Sequence, residues 1–125
     1  MNILISKINK VSAHGATLYV TIPRSCYSIV SSVPLLYAYI ADDSIVYSVE
    51  PPVASEGAVL VAGNRIVLLP AKSVVYRVRV AKVNSRTLAL RIPAALARIL
   101  GIARSSHVNI ICYDSKIVVK MLRVY

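Results

Sequence analysis

Thr17-Leu18-Tyr19-Val20-Thr21-Ile22-Pro23 returns later in the chain as Thr87-Leu88-Ala89-Leu90-Arg91-Ile92-Pro93, with four of the seven positions identical. Recurrence of this kind marks a duplicated supersecondary unit, and the residues around each copy extend it. Upstream of each septet lies an apolar/polar strand pattern ending in Lys-Val, from Ile3 to Val11 and from Val74 to Val83. In the second, Tyr76, Val78 and Val80 alternate with Arg77, Arg79 and Ala81, the period of two expected of a strand with one buried face. Turn residues follow, Ser12 to Ala16 in the first copy and the shorter Asn84-Ser85-Arg86 in the second. Each septet then reads as the returning strand of a hairpin.

Downstream, each Pro opens a helix candidate, since its missing N–H costs nothing in a first helical turn. Ala94 to Leu100 is rich in strong helix formers, and Gly101 is placed to stop it. Arg24 to Ser32 is a weaker former. A second hairpin closes each copy: Leu35 to Ala41 turning at Asp42-Asp43 into Ser44 to Val49, and Val108 to Tyr113 turning at Asp114-Ser115 into Lys116 to Val124. Both copies therefore read β-β-α-β-β. The chain divides into a first repeat (1–50), an intervening segment (51–73) and a second repeat (74–125). Within the middle segment, Pro51 to Gly57 reads as a linker. Ala58 to Ala62 and Arg65 to Leu69 flank Gly63-Asn64, a favourable two-residue turn, so an extra hairpin is expected there.

Composition agrees with a β-rich core. The chain has 125 residues, 57% of them apolar, with no Phe and no Trp. Val, Ile, Leu and Tyr must fill the interior, and they suit a pleated, half-buried surface. The most apolar long window, Val53 to Lys72, is broken by Glu56, Gly57, Gly63, Asn64, Arg65 and Pro70, so no membrane span is expected. No signal-peptide pattern is visible, which makes cytoplasmic location the expectation. With no secretion signal, Cys26 and Cys112 are expected as reduced, buried thiols; a disulfide would be expected mainly in a hyperthermophile. Neither cysteine belongs to a close Cys/His cluster, so no zinc site is expected.

The formal net charge of +10 is unevenly spread. Residues 1–56 carry three Lys/Arg against four Asp/Glu, whereas residues 77–125 carry ten Lys/Arg against Asp114 alone. Such asymmetry points to a polyanionic partner for the second repeat.

The second copy, Lys82 to Lys120, resembles the AbrB/SpoVT/MazE family through Arg91-Ile92-Pro93, an Ala/Leu helix, Leu100-Gly101-Ile102, Val108-Asn109-Ile110-Ile111, a tight turn and Lys116-Ile117-Val118-Val119. The first copy matches more loosely, through Gly15 to Pro23 and the Asp42-Asp43 hairpin. The resemblance implies a mainly-β fold: a swapped-hairpin β-barrel from two β-β-α-β-β repeats, with short helices after each Ile-Pro. It further implies double-stranded DNA binding as a transcriptional regulator, through basic side chains on the first hairpin and on the strand leading to the Pro. Carried over to this chain, those residues are Arg91, with Lys82, Arg86, Arg79 and Arg77 around it. Arg98, Arg104, Lys116, Lys120 and Arg123 read as ordinary solvated charges, and the first copy as a structural partner. Physically, a two-stranded ribbon fits the major groove and Arg can donate two bonds to a guanine edge.

Other functions have thinner material. An enzyme needs convergent nucleophile, base and stabilising groups, and this chain offers five carboxylates and two histidines. Asp42-Asp43 is ordinary turn chemistry, and His14 and His107 occupy non-equivalent loop positions. No cofactor is implied. Antitoxins of the same superfamily carry an acidic tail that wraps a toxin, whereas this chain ends on an apparent strand, which disfavours a toxin partner. An oligomerisation scaffold without DNA binding is a third reading. A homodimer or higher homo-oligomer is expected if a two-fold DNA site is bound, because symmetric operators mirror protein symmetry.

Overall fold

The computed structural model describes residues 3–31, 35–51 and 75–122. In the first half, strands β1 (Ile3–Lys10), β2 (Ser12–His14) and β3 (Thr17–Thr21) precede a 3-10 turn, Arg24–Cys26, that runs into α1 (Tyr27–Val30). Strands β4 (Leu35–Ala41) and β5 (Ser44–Ser48) complete it. The second half has β6 (Tyr76–Asn84), β7 (Thr87–Ile92), α2 (Ala94–Leu100), β8 (His107–Tyr113) and β9 (Lys116–Met121). Among the described residues the molecule is thus mainly β with two short helical segments, each after an Ile-Pro pair. The linker and the Gly63-Asn64 hairpin expected between the repeats lie almost wholly outside the described residues.

Local chemistry sets the element ends. Gly101 takes the left-handed conformation (φ 75°) that terminates α2, and a side chain there would be strained. Asp42, at φ 58°, opens the two-residue turn between β4 and β5, a conformation that Asp tolerates better than most residues. The weaker first helix starts as a 3-10 turn, its Cys26 N–H donating to the Pro23 carbonyl. In the second copy the proline carbonyl instead accepts from one residue further on, the Ala97 N–H reaching back to Pro93 in α-helical spacing.

Among the described residues, nine strands form one antiparallel sheet in the order β1-β8-β9-β5-β4-β6-β7-β3-β2. The two halves interleave within it. β1 pairs with β8 and β4 with β6, while β3 pairs with β7 and β5 with β9. The outermost strands, β1 and β2, are consecutive in the chain and separated only by Val11, so the sheet curls into a nearly closed barrel. At this corner the Val11 N–H donates to the Ser106 carbonyl (2.8 Å), and the Val11 carbonyl accepts from the Ser105 N–H (2.9 Å). In the second half, β6 turns the same corner without a break, pairing through Tyr76 to Arg79 with β4 and through Val80 to Asn84 with β7.

An approximate two-fold axis relates the halves. Val20 and Leu90, the same position of the two septets, are cross-strand partners. So are Val46 and Val118, each the third residue of its strand. The axis passes through both pairs. Inward-facing Val20, Leu36, Ile45, Tyr47, Val78, Leu90, Ile92, Val108, Ile110, Ile117 and Val119 fill the interior, each almost inaccessible to water. Burial of their apolar area is the main favourable contribution to folding. Neither half could cover its own strand faces alone.

The strands correct the sequence reading at two points. Lys10 faces His107 on β8, and the residue facing the corresponding site, Leu35 on β4, is Arg79 rather than Lys82. The matched Lys-Val pairs are therefore not equivalent in space. The first turn is also no longer than the second: Ser12–His14 is a strand, and both hairpins turn through two residues, Gly15-Ala16 and Ser85-Arg86. A register bulge between Lys82 and Asn84 absorbs the difference that sequence spacing assigned to the loop.

The two cysteines are not free thiols. Cys26 and Cys112 form a disulfide with Cα atoms 6.2 Å apart, spanning 86 positions and linking the first helical segment to β8. Both are fully buried. Sequence could not bring together two residues so far apart; the interleaving of halves does. Among the described residues, no helix is long and apolar enough to cross a membrane.

Candidate nucleic-acid interface

β7 sits between β3 and β6, and its residues alternate strictly. Leu88, Leu90 and Ile92 face the core, while Thr87, Ala89 and Arg91 take the other side of the strand, where Ala89 is covered by its neighbours and Arg91 is exposed. Arg91 lies opposite Tyr19 on β3, which in turn lies opposite Ser12 on β2. One step along, Ala89 is flanked by Thr21 and Ala81. Ser12, His14, Tyr19, Thr21 and Ala89 border a shallow depression on this four-stranded outer face. Half of that surface comes from the first repeat. β3 pairs directly with β7, so the first repeat shares this face.

Arg91 is anchored from beneath. The hydroxyl of fully buried Tyr47 donates to the Arg91 carbonyl at 2.9 Å. Burial pushes the Tyr47 phenol far above its ordinary range, with the Arg91 charge pulling partly the other way, so it remains a neutral donor. At the equivalent place in the first half, the Thr21 carbonyl accepts from Asn9 Nδ2 at 2.9 Å. A strand carbonyl just before Ile-Pro thus finds a side-chain donor in both halves, as a buried polar group requires, but from unrelated residues.

The remaining described arginines fall into three places. Arg98 on α2 and Arg104 in the following turn join Arg91 around a second depression, which also includes Ala16, Thr17 and Leu18 of the first repeat. Arg98 and Arg104 were expected as ordinary solvated charges, and nothing in their spacing signals the cluster. Only the contact between one half's turn and the other half's helix creates it. Arg86, at the tip of the β6–β7 hairpin, lies beside Arg24 instead. Its backbone is held by Tyr27, whose hydroxyl donates to the Arg86 carbonyl (2.9 Å) and accepts from the Leu88 N–H (3.1 Å).

Arg77 and Arg79 belong to a different part of the barrel, the stretch of β6 that pairs with β4. Arg77 stacks over the Tyr37 ring at 4.3 Å, a cation–π contact. Of the five positions expected to bind DNA, Lys82 pairs with core-facing Leu88 and so takes the inner side of β6, and Arg91 lies without it on the face of the β2-β3-β7-β6 strands. Arg86 stands at its end, and Arg77 and Arg79 lie along the adjoining strand.

The described carboxylates keep away from this face. Asp42 and Asp43 form the β4–β5 turn, Asp114 begins the β8–β9 turn and Glu50 follows β5. Among the described residues, no group of three or more His, Cys, Asp or Glu could hold a metal ion. Comparison with protein-family models, with curated proteins and with solved structures found no match.

Proposed function

We propose that this chain binds double-stranded DNA as a regulator of the AbrB/SpoVT/MazE type, a swapped-hairpin barrel in which one chain supplies both repeats. The observation that carries the reading is the placement of Arg91, Arg98 and Arg104 around one depression and of Arg86 and Lys82 on the adjoining β6–β7 hairpin, with no carboxylate among the described lining residues. Phosphate attraction supplies most of the affinity of such a surface and is released by salt. Arg91, held at its backbone by Tyr47, is assigned to a base edge; Lys82, Arg86, Arg98 and Arg104 are assigned to phosphates. His14, Tyr19 and Thr21 bring the first repeat into the same footprint.

Fluorescence anisotropy with mixed-sequence and then selected duplexes, across a salt series, tests the proposal. Binding should weaken steeply and linearly in log salt. Arg91→Ala should cost about 1–3 kcal/mol on a selected site, while Lys10→Ala should cost less. Absence of salt-sensitive binding would leave the scaffold reading in its place. Light scattering of the complex gives the stoichiometry: two chains per duplex are expected for a two-fold site, and one chain would show that the pseudo-symmetric monomer suffices.

A further inference from the structure

The approximate two-fold axis creates the same contact twice: the hairpin turn of one half lies against the helical segment of the other. The two contacts are built differently. In one, Tyr27 reaches from the first helical segment to the Ser85-Arg86 turn, where its hydroxyl bonds both the Arg86 carbonyl and the Leu88 N–H. An aromatic ring bearing a polar group thus bridges helix and turn. In the other, the position corresponding to Tyr27 is Ala97, four residues after the Ile-Pro proline in each case. Ala16 stands for Arg86 and Ala94 for Arg24. The bridge is missing, and a depression of about 340 Å³ occupies its place, near the lower end of small-molecule sites. Its twin encloses more space, about 570 Å³, but is a more open hollow lined by five residues.

Leu18, Ala97 and Ile102 give the smaller depression an apolar lining, and Arg91, Arg98 and Arg104 surround it. Among the described residues, no carboxylate lines it. Guanidiniums bordering one depression repel one another, and a bound anion relieves that repulsion through paired, charge-assisted hydrogen bonds. We propose that this depression binds a small planar aromatic group carrying an anion, the chemistry of a nucleoside monophosphate. The ring takes the place that Tyr27 fills in the twin, and the phosphate meets the three arginines. The site shares Arg91, Arg98 and Arg104 with the proposed duplex footprint, and its test is made without DNA, so that either reading can fail while the other holds.

Calorimetric titration of the intact protein with AMP, adenosine and inorganic phosphate tests the assignment. AMP should bind saturably at one site per chain, inorganic phosphate more weakly and adenosine not measurably. Equal affinity for AMP and phosphate would overturn the planar slot, and no AMP binding would overturn the site. Ala97→Tyr, which restores the bridging ring, should abolish AMP binding. Because Ala97 is buried, Arg98→Ala combined with Arg104→Ala supplies an independent test on exposed residues, with an expected loss of at least about tenfold. Arg24→Ala with Arg86→Ala, at the twin, should leave AMP affinity unchanged; an equal loss there would show general charge attraction and overturn the proposal.

Discussion

The two halves of the molecule share one order of elements but contribute different things. The first supplies anchors: Tyr27 and Tyr47 hold the second half's hairpin by its backbone, and Cys26 crosses to Cys112. The residues at those positions in the second half are Ala97, Val119 and Leu96, none able to do the same. The second half supplies the cations, from Arg77 to Lys120. A symmetric homodimer cannot divide labour this way, since each residue must serve on both sides of the axis. Joining the repeats in one chain removes that constraint, so one side of each equivalent contact can become structural while the other stays open.

Breaking the cross-link gives the largest expected effect. A chain tied across 86 positions loses unfolded-state entropy worth about 4–5 kcal/mol in the loop-closure description. Reductant should lower the denaturation midpoint accordingly, and Cys26→Ala/Cys112→Ala should match the reduced protein while ignoring reductant. A midpoint indifferent to reductant would remove the disulfide from the first half's share.

The paired carbonyls before Ile-Pro offer a finer contrast. Tyr47→Phe leaves the Arg91 carbonyl without this donor in a fully buried setting and should cost about 1–3 kcal/mol. Asn9→Ala, at the part-buried twin, should cost about 1 kcal/mol. Equal costs in urea titrations would mean that the two solutions are interchangeable.

Tyr47 also gives a pH signature. Its folded-state pKa lies above the ordinary tyrosine value of 10.0, so the folded protein retains a proton that the unfolded chain gives up. The contribution is intact below about pH 10 and is lost progressively as pH rises above it. Tyr47→Phe should flatten that alkaline slope; an unchanged slope would assign the loss to other groups.

The smallest effect is a gain. Thr21 lies where the second half has Arg91, and Thr21→Arg gives the first half the missing cation. If the shared face meets DNA, the salt slope should steepen by about one, with little change in stability. An unchanged slope would confine DNA contacts to the second half.

The duplication, the β-β-α-β-β order, the Gly101 stop and the concentration of charge after residue 77 are all legible in the sequence. Each depends on local pattern: alternation of Val and Ile with polar residues, a proline that opens a helix, a glycine that ends it. Arg91 as an outward residue follows from the same alternation. What tertiary structure decided is which half each element serves. β1 closes on β8 and β6 on β4, and that exchange brings Cys26 to Cys112, Tyr47 beneath Arg91, and Arg98 and Arg104 around the first repeat's turn. The bulge at Lys82 likewise shifts spatial equivalence away from the matching Lys-Val letters. None of these has a local signature, because strand alternation fixes which face a residue takes and leaves its partner open. Partners are chosen by the need of two half-covered sheets to bury their apolar faces against each other.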